Sequence, residues 1–285
     1  MILVLGKYGQ VATELRLLAG DDFFFTSREE INLLAPGTLD RSLTQFNPSL
    51  IINCTAYNNV DAAEADPTDA ILINTESIKV LARYAQKTNC PVIHISTDFV
   101  FDGTDPLYGE TAVKNPLNKY GKSKSDGEDY LLDGVEKLLI LRTSWVYSNI
   151  GSNFLTNVKR NFLNGNELYG AEDIEGSPTR AYTIARFIYT QYQNFLCNDF
   201  KKIYHLCDSG SISRHAFVSE IVRILSLGLD LPERPVNLVS NSFFKLPAMR
   251  PMQSGLDNQK LKNDFSFPVN DWAQELLEEI TRASQ

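Results

Sequence analysis

The sequence predicts an α/β protein built on a doubly wound parallel sheet, and three observations carry that reading. Short β-branched runs alternate with longer helical patterns through the first half, as a parallel sheet covered on both faces requires. A glycine-bearing turn joins the first such run to the first helical pattern. After about Trp145 the rhythm gives way to longer connections such as "GSNF", "EGSPT" and "KLPAMRP", which suit a smaller C-terminal binding region.

Taken in order, Ile2 to Leu5 is a buried strand, Gln10 to Leu18 a helix, Phe23 to Thr26 a second strand and Leu50 to Cys54 a further one. Thr75 to Gln86 places Ile78, Leu81, Ala82 and Ala85 on one helical face. "PVIHIST" is another central strand, and Leu138 to Arg142 continues the series. Helical patterns over Ala181 to Phe195 and Ser213 to Leu225 follow. Residues 1–145 are expected to form a nucleotide-binding domain. Residues 146–285 are expected to be mainly substrate-binding, with some helices and strands returning to pack on the first part.

With 43% hydrophobic and 22% charged residues over 285 positions, the chain can bury a sizeable core. A formal net charge of −8, with no lysine or arginine block, leaves no electrostatic footprint for nucleic acid or an anionic membrane. Cys54, Cys90, Cys197 and Cys207 lack CxxC spacing, so neither a zinc site nor a disulfide framework is expected. The apolar start "MILVLG" is too short for a signal peptide, and no membrane span is legible. A cytoplasmic location is the expectation.

In "VLGKYGQVATEL", Gly6 permits a tight turn and Gly9 allows close backbone approach to a pyrophosphate. The helix N-terminus that follows supplies N–H groups to the anion. Ala12 stands at the third glycine position and is small enough for helix-to-strand packing. The pattern points to a Rossmann-type nucleotide site. After the second strand comes "FFFTSREEIN", where Arg28 suits the extra phosphate of NADP better than the ribose hydroxyls of NAD.

"PLNKYGKSKSDGE" puts Tyr120 and Lys124 four residues apart, on one face of a helix. An ammonium beside the phenol would lower its pKa toward neutrality and make Tyr120 a proton donor to a carbonyl. Lys124 could also hold nicotinamide ribose hydroxyls. "ISTDFVFDG" leaves a strand with Thr97 and Asp98 at its carboxyl end, where open parallel sheets bind ligands. A hydroxyl there could polarise the same carbonyl.

The segments "GKYGQV", "INCTAYNNVDAAEADP", "NTESIKVLA", "ISTDFVFDG", "NPLNKYGKSKSDGE", "LRTSWVYS", "GSPT" and "RPMQSGLDNQKL" resemble the dTDP-4-dehydrorhamnose reductase family of extended short-chain dehydrogenases/reductases, over nearly the whole length. The resemblance implies NADPH-dependent reduction, with NADH as the alternative cofactor, of the C4 ketone of dTDP-4-dehydro-6-deoxy-L-mannose to dTDP-L-rhamnose, for polysaccharide biosynthesis. It implies Thr97, Tyr120 and Lys124 as catalytic residues. Gly9, Gln10, Val11, Asn32, Leu33, Ala56, Tyr57 and Asn58 would line the cofactor site beside Gly6 and Arg28. Asp98, Phe99 and Trp145 would meet the sugar nucleotide, and Arg250 is a candidate for its diphosphate. Glu14 matches a position associated in some members with magnesium at a dimer interface. One carboxylate makes no metal site, so magnesium and a homodimer stay open.

The family usually has glycine at Ala12, aspartate at Asn32, tyrosine at Phe99, threonine at Asn58 and glutamine at Ile174. None of these departures removes a proton-transfer group, but Phe99 and Asn58 leave the substrate open. Another nucleotide-sugar reductase, dehydratase or epimerase of the same fold would keep the trio. The regulatory β subunit of methionine adenosyltransferase also resembles this family, and "STD" at Ser96 to Asp98 argues for the reductase instead.

Overall fold

The computed structural model describes residues 1–198 and 200–282. Six parallel strands form the central sheet in the order Lys201–His205, Leu138–Thr143, Val92–Thr97, Leu50–Asn53, Ile2–Leu5, Phe23–Thr26. The chain runs from the Ile2–Leu5 strand outward to one edge, then crosses back to build the other side. The order therefore reverses between Ile2–Leu5 and Leu50–Asn53, and a crevice opens there at the carboxyl ends of the strands.

Alternation of side chains sends Ile2 and Val4 to one face and Leu3 and Leu5 to the other. On the first face they meet Val11 and Leu15 of helix Gln10–Leu18, and Ile184, Phe187 and Ile188 of helix Ala181–Cys197. On the second face Leu39 and Leu43 of helix Pro36–Phe46, Ile78 and Leu81 of helix Ser77–Thr88, and Leu131 of helix Lys119–Gly134 close the core. Each such aliphatic side chain, fully buried, contributes about 1.5–3 kcal/mol.

Beyond shifts of a few residues at helix and strand ends, the following details differ from the sequence reading. The strand begun at Leu50 ends at Asn53, one residue before Cys54. The helix expected from Thr75 starts at Ser77 and is preceded by π-helical Leu72–Glu76, where Asn74 turns its amide to the backbone of Tyr57. The edge strand Lys201–His205 carries no legible alternation, because Lys201 and Lys202 are exposed while Tyr204 and His205 are buried. Lysines on an edge strand discourage pairing with another chain.

The remaining C-terminal residues build a third core around Tyr147, Leu155, Phe162, Phe217, Ile221 and Leu276. Short strands Leu107–Tyr108, Glu175–Gly176, Ile212–Ser213 and Gln253–Leu256 form a small sheet beside it. Arg180 ties helix Trp272–Thr281 to this region, pairing with Glu275, Glu278 and Glu279, each at 2.8 Å. All four cysteines are free. Among the described residues no helix is long and apolar enough to cross a membrane.

Candidate active site

Helix Lys119–Gly134 begins at Asn118, whose Oδ1 accepts the Gly121 N–H at 2.8 Å while its Nδ2 donates to Met249 O at 2.7 Å. Two glycines let this helix approach its neighbours closely. A Cβ on Gly121 would lie 2.2 Å from Phe99 O, and one on Gly127 would lie 2.2 Å from Asn74 O. The first of these contacts sets Tyr120 against Phe99, edge to face at 5.6 Å.

Thr97 ends its strand with a buried hydroxyl that donates to Asp98 Oδ1 at 3.0 Å and accepts from Phe99 N at 3.2 Å. Asp98 is buried as well and accepts from Ser144 Oγ at 2.8 Å. Burial raises its pKa, and hydrogen bonds from Ser254, Ser144 and Thr97 pull the other way. Tyr120 is raised by burial too, with the Thr97 hydroxyl opposing.

The lowering expected of the phenol is corrected: burial raises Tyr120, and the hydrogen bonds of Lys124 Nζ go elsewhere. Lys124 Nζ donates to Ile95 O at 2.7 Å and lies 3.2 Å from His94 Nε2, on the sheet side of the helix. Burial pushes Lys124 down to about 8, with Glu128 opposing. The desolvated Tyr120 hydroxyl keeps its proton more firmly than in water.

Thr97, Asp98, Phe99, Tyr120 and Lys124 line one cavity of about 560 Å³ at the crevice of the sheet. Gly9, Gln10, Val11, Ala56 and Asn58 line the same cavity, as do Trp145 and Arg250. Gly6, Arg28, Asn32, Leu33 and Tyr57 lie outside this lining. Gly6 shapes the turn from behind: its φ is 100°, and a Cβ there would lie 2.7 Å from Thr55 Cγ2. Arg28 is exposed in the turn after Phe23–Thr26, where Glu30 folds back to accept from Ser27 N at 2.7 Å. Asn32 is exposed and accepts from Leu34 N, and Leu33 is buried with its carbonyl bound by Ser77. The Tyr57 backbone is held by Asn74.

Helix Gln10–Leu18 starts at Gly9 with no side-chain cap, so its first N–H groups face the cavity mouth available to an anion. Gln10 Oε1 accepts from Ser148 Oγ at 2.8 Å, linking this turn to the C-terminal region. Glu14, further along the helix, is buried and paired with Arg282 Nη1 at 2.8 and 3.0 Å. Among the described residues no group of three His, Cys, Asp or Glu side chains could hold a metal.

Arg250 is neutralised by Asp61, with contacts of 2.7 and 3.2 Å. Sequence reasoning missed the other arginine of the cavity. Arg214 stacks its guanidinium 3.4 Å from the centroid of Trp145 and 4.3 Å from that of Phe154. Its Nη1 is buried with no hydrogen-bond partner among the described residues. Burial pushes it down to about 9, so it is charged at neutral pH. A single arginine at the start of a helical pattern gave no signal. Trp145 itself adopts φ 44°, left-handed backbone that disfavours a bulky residue, and packs its ring on Gly176.

Parallel strands, a glycine turn at the order reversal and a tyrosine–lysine pair over the strand ends define an extended short-chain dehydrogenase/reductase. Residues 1–285 match the family model described as the RmlD substrate binding domain, and the chain belongs to that family. It is 35% identical over 282 residues to dTDP-4-dehydrorhamnose reductase of Escherichia coli K12, covering 95% of this chain and 94% of the relative. It is 33% identical over 281 residues to the protein of that name from Sinorhizobium fredii, covering 96% and 94%. Among solved structures it superposes with a TM-score of 0.89 on dTDP-4-dehydrorhamnose reductase from Bacillus anthracis in complex with NADP, at 26% identity and 98% coverage of both chains.

Proposed function

We propose that this protein reduces the C4 ketone of dTDP-4-dehydro-6-deoxy-L-mannose to give dTDP-L-rhamnose, with NADPH as the reductant. The observation that carries the reading is that Thr97, Tyr120 and Lys124 share a cavity with the uncapped N-terminus of helix Gln10–Leu18. When bound, the cofactor supplies a hydride to the carbonyl carbon. Tyr120 delivers its proton to the oxygen and takes one back from solvent before the next turnover. Thr97 turns its own O–H from Asp98 to the developing alkoxide, an interaction strongest in the transition state.

The residues fit the cofactor. Gln10 and Val11, at the start of the helix, would offer backbone N–H groups to a diphosphate, Gly9, whose own N–H is held by Gly6 O at 2.9 Å, leaves room for its approach, and Ala56 and Asn58 also line the cavity. Arg28, free on the surface at the end of the second strand, suits a 2′-phosphate and favours NADPH over NADH. Lys124 lines the cavity and would hold ribose hydroxyls once drawn from its present partners. For the sugar nucleotide, Asp98 offers an acceptor and Phe99 and Trp145 an apolar wall that suits a C6 methyl. A C6 hydroxyl left there without a partner would cost on the order of 1–3 kcal/mol. Arg214 supplies the cationic side for the diphosphate, and Arg250, already paired with Asp61, would add a hydrogen-bond donor. Four free thiols agree with a reducing cytoplasm.

The test couples the purified protein to a 4,6-dehydratase and a 3,5-epimerase that make the ketosugar from dTDP-glucose, follows NADPH absorbance and identifies the product by mass and NMR. NADPH loss that depends on the ketosugar, with dTDP-L-rhamnose formed, is expected. No consumption in a mixture that an authentic reductase turns over would refute the substrate assignment.

A further inference from the structure

The buried side of Lys124 carries a pattern of donors and acceptors that disfavours its ammonium form. Asn53 Oδ1 accepts the backbone N–H of Thr55 at 3.0 Å, and also the Thr55 hydroxyl. A backbone N–H can only donate, so the Asn53 amide cannot turn round. Its Nδ2 therefore faces His94, 3.0 Å from Nδ1. An amide NH₂ can only donate as well, which makes Nδ1 the acceptor and places the proton of the neutral ring on Nε2. Nε2 lies 3.2 Å from Lys124 Nζ.

An ammonium at that position would set N–H against N–H. The other ring tautomer only moves the clash to Asn53, and a protonated ring doubles it. A neutral amine resolves it: the lone pair accepts from His94 Nε2–H while an N–H donates to Ile95 O at 2.7 Å. His94 and Lys124 are both buried, so bulk water does not relieve the conflict.

We propose that His94, aimed by Asn53, favours the neutral amine at Lys124 in the ligand-free protein, so that Nζ gives up its proton at mildly alkaline pH, and that cofactor binding draws Lys124 off His94 and restores that proton from solvent. The second half rests on the cofactor reading above. His94 and Asn53 are positioning residues that act through Lys124.

The charges around Nζ permit this state. Glu128, one turn along the same helix, is balanced by Arg142 at 2.8 and 3.0 Å and by Lys114 at 3.4 Å. Tyr120 and Cys54 carry no charge near neutrality, both raised by burial, the thiol to about 12. Asp98 lies beyond Thr97 and is bound by it and by Ser144. Burial also lowers Lys124 to about 8 and His94 well below the ordinary histidine range. Ribose hydroxyls and a diphosphate entering the cavity would bring acceptors and negative charge to Lys124, and both favour the ammonium.

The test labels lysine Cε with ¹³C, assigns the Lys124 signal by its loss in Lys124→Met, and titrates the full chain with and without NADPH. In the free protein the midpoint should fall at about 8 or below, some two units under an ordinary lysine. His94→Gln, whose amide oxygen can face the lysine, should raise it by about one unit or more, and so should saturating NADPH. Calorimetry at about pH 8.5 in buffers of different ionisation enthalpy should find more than about half a proton taken up per NADPH, and none in Lys124→Met. An ordinary midpoint in the free protein, or one unmoved by His94→Gln in a variant that circular dichroism shows to be folded, overturns the His94–Lys124 proposal. Binding of NADPH without proton uptake overturns the coupling. Should NADPH fail to bind, the cofactor reading falls, while the free-protein titration still decides the state of Lys124.

Discussion

Tyr120 and Arg214 both line the cavity, and each makes a prediction at the scale of one side chain. Tyr120→Phe deletes the hydroxyl that touches Thr97 and keeps the ring against Phe99. Turnover should drop by about a hundredfold or more, the usual scale for losing a positioned acid, with NADPH affinity nearly intact. Single-turnover kinetics and a fluorescence titration of NADPH check the two halves, and turnover within a few-fold of the parent would remove Tyr120 from the chemistry. Arg214 is the cavity's arginine without a carboxylate pair, since Arg250 is held by Asp61. Arg214→Met keeps the stem beside Trp145 and removes the charge. The KM for the nucleotide sugar should rise about tenfold or more, the scale of a charge-assisted hydrogen bond, while kcat stays within a few-fold. An unchanged KM would reduce Arg214 to a packing partner of Trp145.

At the scale of the element, helix Lys119–Gly134 is placed by what its glycines leave out. Gly121→Ala would improve intrinsic helix propensity by about 1 kcal/mol, yet its methyl would collide with the backbone carbonyl of Phe99 at 2.2 Å. Backbone cannot swing away as a long side chain can, so overpacking should win. A net loss of about 1–3 kcal/mol in urea unfolding is expected, with reduced turnover because Tyr120 is carried on the displaced turn. A more stable variant would show that the helix is free to shift. The same helix marks how far the sequence could be read. Ile2–Leu5, Gln10–Leu18 and Phe23–Thr26 were legible to the residue, because strands buried on both faces and amphipathic helices write their periods plainly. Lys201–His205 was not, since half of an edge strand faces water and reads as polar chain. In the site, the spacing of Tyr120 and Lys124 was visible, but the direction of Nζ was not. It depends on His94, thirty positions back on a neighbouring strand, and on the orientation of Asn53 beyond it. Contacts at that separation leave no local period to detect.

At the scale of the whole molecule, the C-terminal helix is fastened to the sheet region by buried charge. Arg180 meets Glu275, Glu278 and Glu279, while its backbone N–H donates to Asp208 Oδ2 at 2.8 Å. Asp208 lies at the end of the connection from the edge strand, fully buried, with Oδ1 lacking a hydrogen-bond partner among the described residues. Burial pushes its carboxyl up to about 8, opposed by the Arg180 N–H and reinforced by Glu275. Its folded pKa thus lies above the unfolded value, near 3.9. Between those two values the folded state binds more protons than the unfolded one, so stability contributed by this group falls as pH rises and levels off once both states are ionised. Asp208→Asn keeps the shape and an acceptor for the Arg180 N–H but cannot ionise. Urea unfolding between about pH 4 and pH 8 should show the parent losing at least ~1 kcal/mol relative to the Asn variant, with the gap widest at the alkaline end. Carboxylates paired in the native state, such as Glu128 with its lowered pKa, work in the opposite sense at acid pH, and they are common to both proteins. The difference between the two curves therefore isolates Asp208. A gap that stayed constant with pH would mean that Asp208 is ionised in the fold, its charge stabilised within the Arg180 network.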